Sequence, residues 1–120
     1  MTEYKLGEAE SKFADLIWEN APINSTELVR LSEDVMKWKK STTYTMLKRL
    51  CDRGIFRNEG AVVSAAMSRE AFFSGQSRCY VDDTFGGSLP RFLASFIGGK
   101  KLSDKQAEEL VRLINEHKED

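Results

Sequence analysis

The sequence predicts a mainly α-helical protein, in which three helices and a short β-hairpin are followed by a second set of helices. Apolar residues recur at spacings of three and four over most of the 120 positions, as they do along one face of an α-helix. Between residues 55 and 65 that period gives way to two short strand-forming runs around the turn signal Asn58-Glu59-Gly60. Paired glycines at 86–87 and 98–99 then separate the later helices.

The first two helices are indicated by their apolar spacing and by their end signals. Asn20-Ala21-Pro22 stops the first helix, because the residue before a proline avoids the helical conformation. Asn24-Ser25-Thr26-Glu27 has the pattern of a capping box and opens the second helix. The predicted core-facing positions are Leu6, Ala9, Phe13, Leu16 and Ile17 in the first helix and Leu28, Leu31 and Val35 in the second.

The third helix begins near Lys40 or Ser41, stops at Gly54 and has two chemically different faces. Its apolar face consists of Thr43, Met46, Leu47 and Leu50. The opposite face carries cations and short hydroxyl side chains, which suit phosphates and base edges: Ser41, Thr42, Thr45, Lys48 and Arg49. Lys39 and Lys40 add to this positive charge in a chain of formal net charge −1, and we therefore expect the face to contact DNA.

Three helices followed at once by a hairpin are the layout of a winged helix-turn-helix domain, in which the hairpin is the wing. We place this DNA-binding domain at residues 1–67 and expect Arg57 and Asn58 to contact phosphates from the tip of the wing. The alternative function is a winged-helix module that uses the same scaffold to bind another protein, without sequence-specific DNA binding.

Residues 68–120 return to helix, beginning near Ser68-Arg69-Glu70, and expose more apolar surface than such helices can bury alone. A second copy of the chain is the simplest cover, which makes this segment a helical dimerisation domain. The residues that we expect in the homodimer interface are Phe72, Tyr80, Leu89, Phe92, Leu93, Phe96, Leu110 and Ile114.

Composition and motifs argue against several other classes of protein. No apolar run could cross a bilayer and no signal peptide is recognisable, which predicts a cytoplasmic location. Cys51 and Cys79 do not suggest a disulfide framework or a zinc site. Cys51 has the character of a small buried hydrophobe, and Cys79 is similar, with somewhat more room for a redox or interface role. The sequence holds no catalytic Ser/His/Asp set, phosphate-binding glycine loop or metal-ligand motif, so we expect no enzyme, cofactor, metal or small-molecule substrate.

A series of short motifs, in order along nearly the whole chain, carries a likeness to one known family. The motifs are LGEAE (6–10), LIW (16–18), Trp38 with STTYTMLKRL (41–50), RGI (53–55), MSRE (67–70), FGGSL (85–89) and LSD (102–104). They resemble the penicillinase-repressor family, the small regulators of β-lactamase and methicillin-resistance genes and their copper-responsive relatives.

The resemblance implies a homodimeric transcriptional repressor in which the third helix of each copy reads one half of a palindromic operator of the TACA…TGTA type. The base-reading positions that it implies are Ser41, Thr42, Tyr44, Thr45 and Arg49. Two roles stay open for Tyr44, which either stacks on the sugar-phosphate backbone or packs against the first helix.

The resemblance also implies release from DNA by proteolysis. In the family a membrane sensor with a zinc protease domain detects β-lactam, and the repressor is cleaved in its C-terminal region. The matching bond joins Ser95 to Phe96, and a sensor protease would thus be a further partner. The copper-responsive relatives carry closely spaced cysteine pairs near the C-terminus, which this chain lacks, so we do not expect copper sensing.

Overall fold

A computed structural model describes residues 4–119, and within that range it contains six α-helices and three β-strands. They are α1 (Glu8–Asn20), β1 (Ile23–Asn24), α2 (Ser25–Met36), α3 (Lys40–Asp52), β2 (Phe56–Glu59), β3 (Val62–Ala65), α4 (Arg69–Phe85), α5 (Leu89–Ile97) and α6 (Asp104–His117). Their order confirms the predicted mainly helical fold, with a winged helix-turn-helix ahead of the later helices. No helix in this range is long and apolar enough to cross a membrane.

The helix α4 passes from one compact unit of the structure into another. The first unit ends at Tyr80 and contains α1 to α3, the strands and most of α4. The second begins at Val81 and contains the end of α4 together with α5 and α6. The functional boundary at residue 67 stays a prediction.

The core of the first unit is formed by one face of each of its first three helices and by the strands. The largest fully buried aliphatic and aromatic side chains are Phe13, Ile17, Leu28, Leu47, Leu50, Ile55, Phe56, Val63 and Phe72. Burying each one stabilises the fold by about 1.5–3 kcal/mol. Two predicted core positions lie outside it, since Ala9 stands in the first turn of α1 and Val35 in the last turn of α2, where both are exposed.

The three strands form one antiparallel sheet in the order β1-β3-β2. Strands β2 and β3 make the predicted hairpin, and its two-residue turn is Gly60-Ala61, with φ of +56° and +62°. Positive φ at both turn residues suits the right-handed twist of a hairpin. Arg57 and Asn58 are therefore paired inside β2, which corrects their predicted place at the tip of the wing.

An aromatic cluster fastens the start of α4 to the first unit. The ring centroid of Trp18 in α1 lies 5.2 Å from that of Phe56 and 5.6 Å from that of Phe72. Trp18 Nε1 donates a hydrogen bond of 3.0 Å to the Met67 carbonyl oxygen, just before α4 begins. The guanidinium carbon of Arg69 lies 5.7 Å from the Trp18 ring centroid, a cation–π distance. The first turn of α4 is thus part of the winged-helix core.

The second unit has well-capped helices but no buried side chain in the described residues 81–119. Ser88 Oγ accepts a hydrogen bond from the Arg91 amide at the start of α5, and Ser103 Oγ accepts one from the Gln106 amide at the start of α6. The caps define where the helices begin. Their apolar faces, however, are only partly covered in the single chain, where Leu93 and Leu110 are half-buried while Phe96 and Ile114 are exposed.

Candidate nucleic-acid interface

The helix α3 turns one face to the core and the other to solvent, as the sequence predicts. Thr43 is 1% exposed and lies in the core face with Leu47 and Leu50. On the opposite side Ser41, Thr42, Thr45, Lys48 and Arg49 are exposed, and Lys39 and Lys40 are exposed at the N-terminal end of the helix. These seven residues are here named the α3 surface. The buried face fixes the rotation of the helix about its own axis, so Ser41, Thr42, Thr45, Lys48 and Arg49 stay together on the solvent side. Lys39 and Lys40 extend the α3 surface at the helix start.

The α3 surface carries four cationic side chains: Lys39, Lys40, Lys48 and Arg49. Lys48 Nζ lies 3.1 Å from the Asp52 carboxylate, but the two side chains are 75% and 66% exposed. An exposed pair of this kind contributes only about 0–1 kcal/mol. Lys48 can therefore exchange that carboxylate for a phosphate with little loss of energy.

Arg53, directly after α3, serves the fold instead of the α3 surface. Its guanidinium lies 3.3 Å from the carboxylate of Glu10 in α1, and the two side chains are only 16% and 20% exposed. The same guanidinium donates a hydrogen bond to the Lys5 carbonyl oxygen. Arg53 thus ties the end of α3 to the segment that precedes α1.

The hydroxyl groups of the α3 surface are partly committed to the helix itself. Thr45 Oγ1 donates a hydrogen bond of 2.9 Å to the Ser41 carbonyl oxygen. That bond uses the only hydroxyl hydrogen of Thr45, which leaves the residue with acceptor lone pairs and a methyl group. These groups match the amino hydrogens of adenine and cytosine and the methyl group of thymine, all displayed in the major groove.

Tyr44 is half-buried, and its hydroxyl donates a hydrogen bond of 3.2 Å to Ser25 Oγ at the start of α2. The backbone amide of Ser25 in turn donates to the Ala61 carbonyl oxygen in the hairpin turn, at 2.8 Å. Tyr44 therefore has its polar partner in the second helix. One of the two roles left open by the sequence placed it against the first helix instead. No spacing rule relates residue 44 to residue 25, so the sequence carried no signal for this contact.

The wing offers its two predicted phosphate contacts on different sides. Arg57 and Asn58 are both exposed, and they are consecutive residues of β2. Successive side chains of a strand point to opposite faces of the sheet. The structure therefore brings at most one of them onto the face that the wing shares with α3.

The residues predicted for a homodimer interface fall into two groups. Phe72 is 1% exposed because it packs with Trp18 in the core of the first unit, so its side chain is not available to a second chain. The others are open to varying degrees: Tyr80, Leu89, Phe96 and Ile114 are 51–73% exposed, and Phe92, Leu93 and Leu110 are half-buried.

The candidate cleavage bond between Ser95 and Phe96 lies inside α5, and both side chains are exposed. Side-chain exposure does not suffice for cleavage, because the carbonyl and amide groups of a helical peptide bond are held in the helix. Proteolysis at this bond therefore requires α5 to open locally first.

The two cysteines differ in environment. Cys51 is half-buried against the core, and burial together with the neighbouring Asp52 carboxylate raises the pKa of its thiol. Cys79 is exposed on α4, which corrects its interpretation as a buried hydrophobe. Within residues 4–119, His, Cys, Asp and Glu side chains form no group of three that could hold a metal ion.

Comparison with known proteins adds a family to this geometry. A family model described as penicillinase repressor matches residues 6–116. The penicillinase repressor of Bacillus licheniformis is 25% identical over 118 residues, which cover 95% of this chain and 92% of that protein. A solution structure of the B. licheniformis BlaI monomeric form in complex with the blaP half-operator is similar with a TM-score of 0.49 and 25% identity, over 59% of this chain and 93% of that one.

Proposed function

We propose, since the chain belongs to the penicillinase repressor family, that it represses transcription as a homodimer in which each α3 surface reads one half of a palindromic operator. Members of this family are DNA-binding transcriptional repressors and not enzymes, and the same holds for this chain. The palindrome, the homodimer and the residues that touch DNA form the proposal.

The observation that carries the proposal is the composition of the α3 surface. Lysine, arginine and short hydroxyl side chains share the exposed side of a helix whose other side is locked in the core. Lys39, Lys40 and Lys48 suit phosphates, while Thr45 and Arg49 suit base edges. In a chain of formal net charge −1, this local concentration of cations attracts a polyanion such as DNA to the α3 surface.

The open apolar side chains of the second unit support the homodimer. Leu89, Phe96, Val111 and Ile114 are each more than half exposed, and none of the described residues 81–119 is buried. Helices with such apolar faces bury little apolar surface in a single chain. A second copy with the same faces can bury that surface against them. Two copies related by a two-fold axis would present two α3 surfaces to two half-sites.

Release by proteolysis is the third part of the proposal. Cleavage between Ser95 and Phe96 would cut α5 near its end and separate the apolar residues on its two sides. The dimer would then lose part of its interface, and each copy would hold only one half-site. A membrane-bound sensor protease is the partner that we propose for this step.

The test is fluorescence anisotropy at ~150 mM salt with a TACA…TGTA palindromic duplex and a scrambled duplex of the same length. We expect the palindrome to bind about 10³-fold more tightly or better. If the dimer neutralises about six to ten phosphates, affinity should fall by about 10³–10⁵ between 50 and 200 mM salt. Equal and weak binding to both duplexes, and to the chain's own upstream DNA, would favour the protein-interaction module instead.

Arg49→Ala tests the α3 surface directly. Loss of one arginine contact should weaken binding to the palindrome by about 1–3 kcal/mol, or about 5- to 150-fold, with little effect on the scrambled duplex. Arg30→Ala is the matched control, because Arg30 is an exposed arginine of α2 that pairs with Glu27 on its own helix. An equal loss in both variants would show a general charge effect and no reading by α3.

A further inference from the structure

The segment before α1 contacts α4, α1 and the residue that follows α3. We call residues 4–7 the N-terminal strap. The ring of Tyr4 packs on Phe72 of α4, with 5.6 Å between ring centroids, and the Tyr4 carbonyl oxygen accepts a hydrogen bond of 2.9 Å from Gln76 Nε2. One end of the strap is thus held on α4 by a ring contact and by a partly buried hydrogen bond.

A glycine in the middle of α4 makes this contact possible. Gly75 stands between Phe72 and Gln76, and a Cβ atom at this position would overlap the Tyr4 ring. Glycine inside a helix is ordinarily unfavourable relative to alanine, because it loses more conformational freedom on folding. The close approach of Tyr4 is the physical reason for a glycine here.

The other end of the strap is held on α1 and on the end of α3. The Lys5 carbonyl oxygen accepts a hydrogen bond from the Arg53 guanidinium, just after α3. Glu10 lies 3.3 Å from that guanidinium through one carboxylate oxygen, and its other oxygen accepts a hydrogen bond of 3.1 Å from the Gly7 amide. The strap therefore connects the end of α3 with the middle of α4, and every polar link in this chain of contacts is partly shielded or charge-assisted.

We propose that the strap is a positioning element for operator binding: by tying α4 to the end of α3, it sets the direction in which α4 leaves the winged helix. The inference rests on the proposed function. In a homodimer joined through the second units, that direction sets the separation of the two α3 surfaces. Tyr4, Gly75 and Gln76 are on this account positioning residues that never touch DNA.

The separation of the two α3 surfaces affects affinity only when both half-sites are bound at once. A palindrome fixes the distance between its half-sites, and a dimer whose α3 surfaces are held at that distance binds the second half-site at a high effective concentration. A loosened α4 lowers that effective concentration. Binding of one α3 surface to one isolated half-site does not depend on it.

The test compares a palindromic duplex with a single half-site duplex, using the full chain. In Gly75→Ala the added methyl group displaces the Tyr4 ring from α4. We expect affinity for the palindrome to fall about tenfold or more, while affinity for the half-site stays within about twofold. Ser77→Ala, at an exposed neighbouring position of α4, is the matched control and should change neither affinity.

Three further variants separate positioning from damage to the fold. Tyr4→Ala removes the same ring contact, so the double variant Tyr4→Ala/Gly75→Ala should lose no more palindrome affinity than the weaker-binding single variant. Gln76→Leu removes the hydrogen bond to the Tyr4 carbonyl oxygen without a clash, and it tests the strap even where Gly75→Ala does not fold.

Two results would overturn the proposal. One is an equal loss of affinity for palindrome and half-site, which would mean that the strap supports the α3 surface itself. The other is unchanged palindrome affinity in the folded variants. Failure of the proposed function is distinct from both, because it would show in the wild-type chain as no preference for the palindrome over a scrambled duplex.

Discussion

Ser32 lies in α2 with no solvent exposure, and its hydroxyl has no hydrogen-bond partner among the described residues 4–119. An unsatisfied buried hydroxyl is unfavourable, and alanine has the higher helix propensity. We expect Ser32→Ala to raise the free energy of unfolding by about 1 kcal/mol, measured by urea denaturation. Ser25→Ala should lower it, because Ser25 Oγ accepts the Tyr44 hydrogen bond. Destabilisation by Ser32→Ala would show that the hydroxyl is hydrogen-bonded in solution.

Because of Cys51, we expect the fold to become less stable at alkaline pH. Burial, and then the charge of Asp52, raises the pKa of the Cys51 thiol, so the folded chain holds this proton more tightly than the unfolded chain does. The raised pKa of Cys51 therefore contributes fully to the free energy of unfolding below the ordinary thiol pKa of about 8.5. This contribution is lost as the pH rises beyond that value. Urea denaturation at pH 7 and pH 9.5 should show a smaller pH-dependent loss for Cys51→Ala than for the wild type. An equal loss of unfolding free energy between pH 7 and pH 9.5 in the wild type and in Cys51→Ala would contradict this role of Cys51. Cys79→Ala is the control.

At this scale the sequence predicts which side of a helix a residue occupies, but not what it touches. The alternation of apolar and polar positions in α3 was enough to assign Thr43 and Leu47 to the core and Thr45 and Arg49 to solvent. The partners of Tyr44 and Arg53 lie 19 and 43 positions away along the chain. Such contacts depend on how the helices pack, which helical periodicity does not contain.

The hairpin turn holds an alanine in a backbone conformation that favours glycine. Ala61 has a φ of +62°, a conformation in which its Cβ atom is crowded. Glycine at that position avoids the crowding, so we expect Ala61→Gly to raise the free energy of unfolding by about 0.5–1 kcal/mol. Ala65→Gly, in the neighbouring strand, should lower the free energy of unfolding instead, because the strand needs no positive φ. Thermal denaturation of both variants tests this, and a loss of stability in Ala61→Gly would rule out a strained turn.

Elements were predictable in proportion to their length. The helices repeat the apolar period over several turns, and their caps and glycines mark the ends, so the order of helices and hairpin could be predicted from sequence. The strand β1 could not, because its two residues, Ile23 and Asn24, are too few to show any alternation. The hairpin turn was placed one to two residues early, since Asn58-Glu59-Gly60 carries a turn signal while Ala61 carries none.

On the scale of the whole molecule, the second unit makes association testable. Phe96 is 73% exposed in the single chain, so replacing it removes little from the fold of one copy. If it lies in the homodimer interface, Phe96→Glu should weaken dimerisation by about 2 kcal/mol or more, or about 30-fold. Sedimentation equilibrium measures this, with Thr84→Glu as a control that adds the same charge at another exposed position. A variant that dimerises as the wild type does would remove Phe96 from the interface.

The absence of any buried side chain in the described residues 81–119 also bears on how long the protein survives. If these helices acquire their core only from a second copy, their folding is second order in chain concentration, and mass action links folding to abundance. Dilution would then leave more chains with open helices, which general proteases degrade most readily. The fraction of chains lost per unit time would thus rise as the concentration falls, so the chain would have a shorter lifetime when it is made in small amounts than when it is made in large amounts.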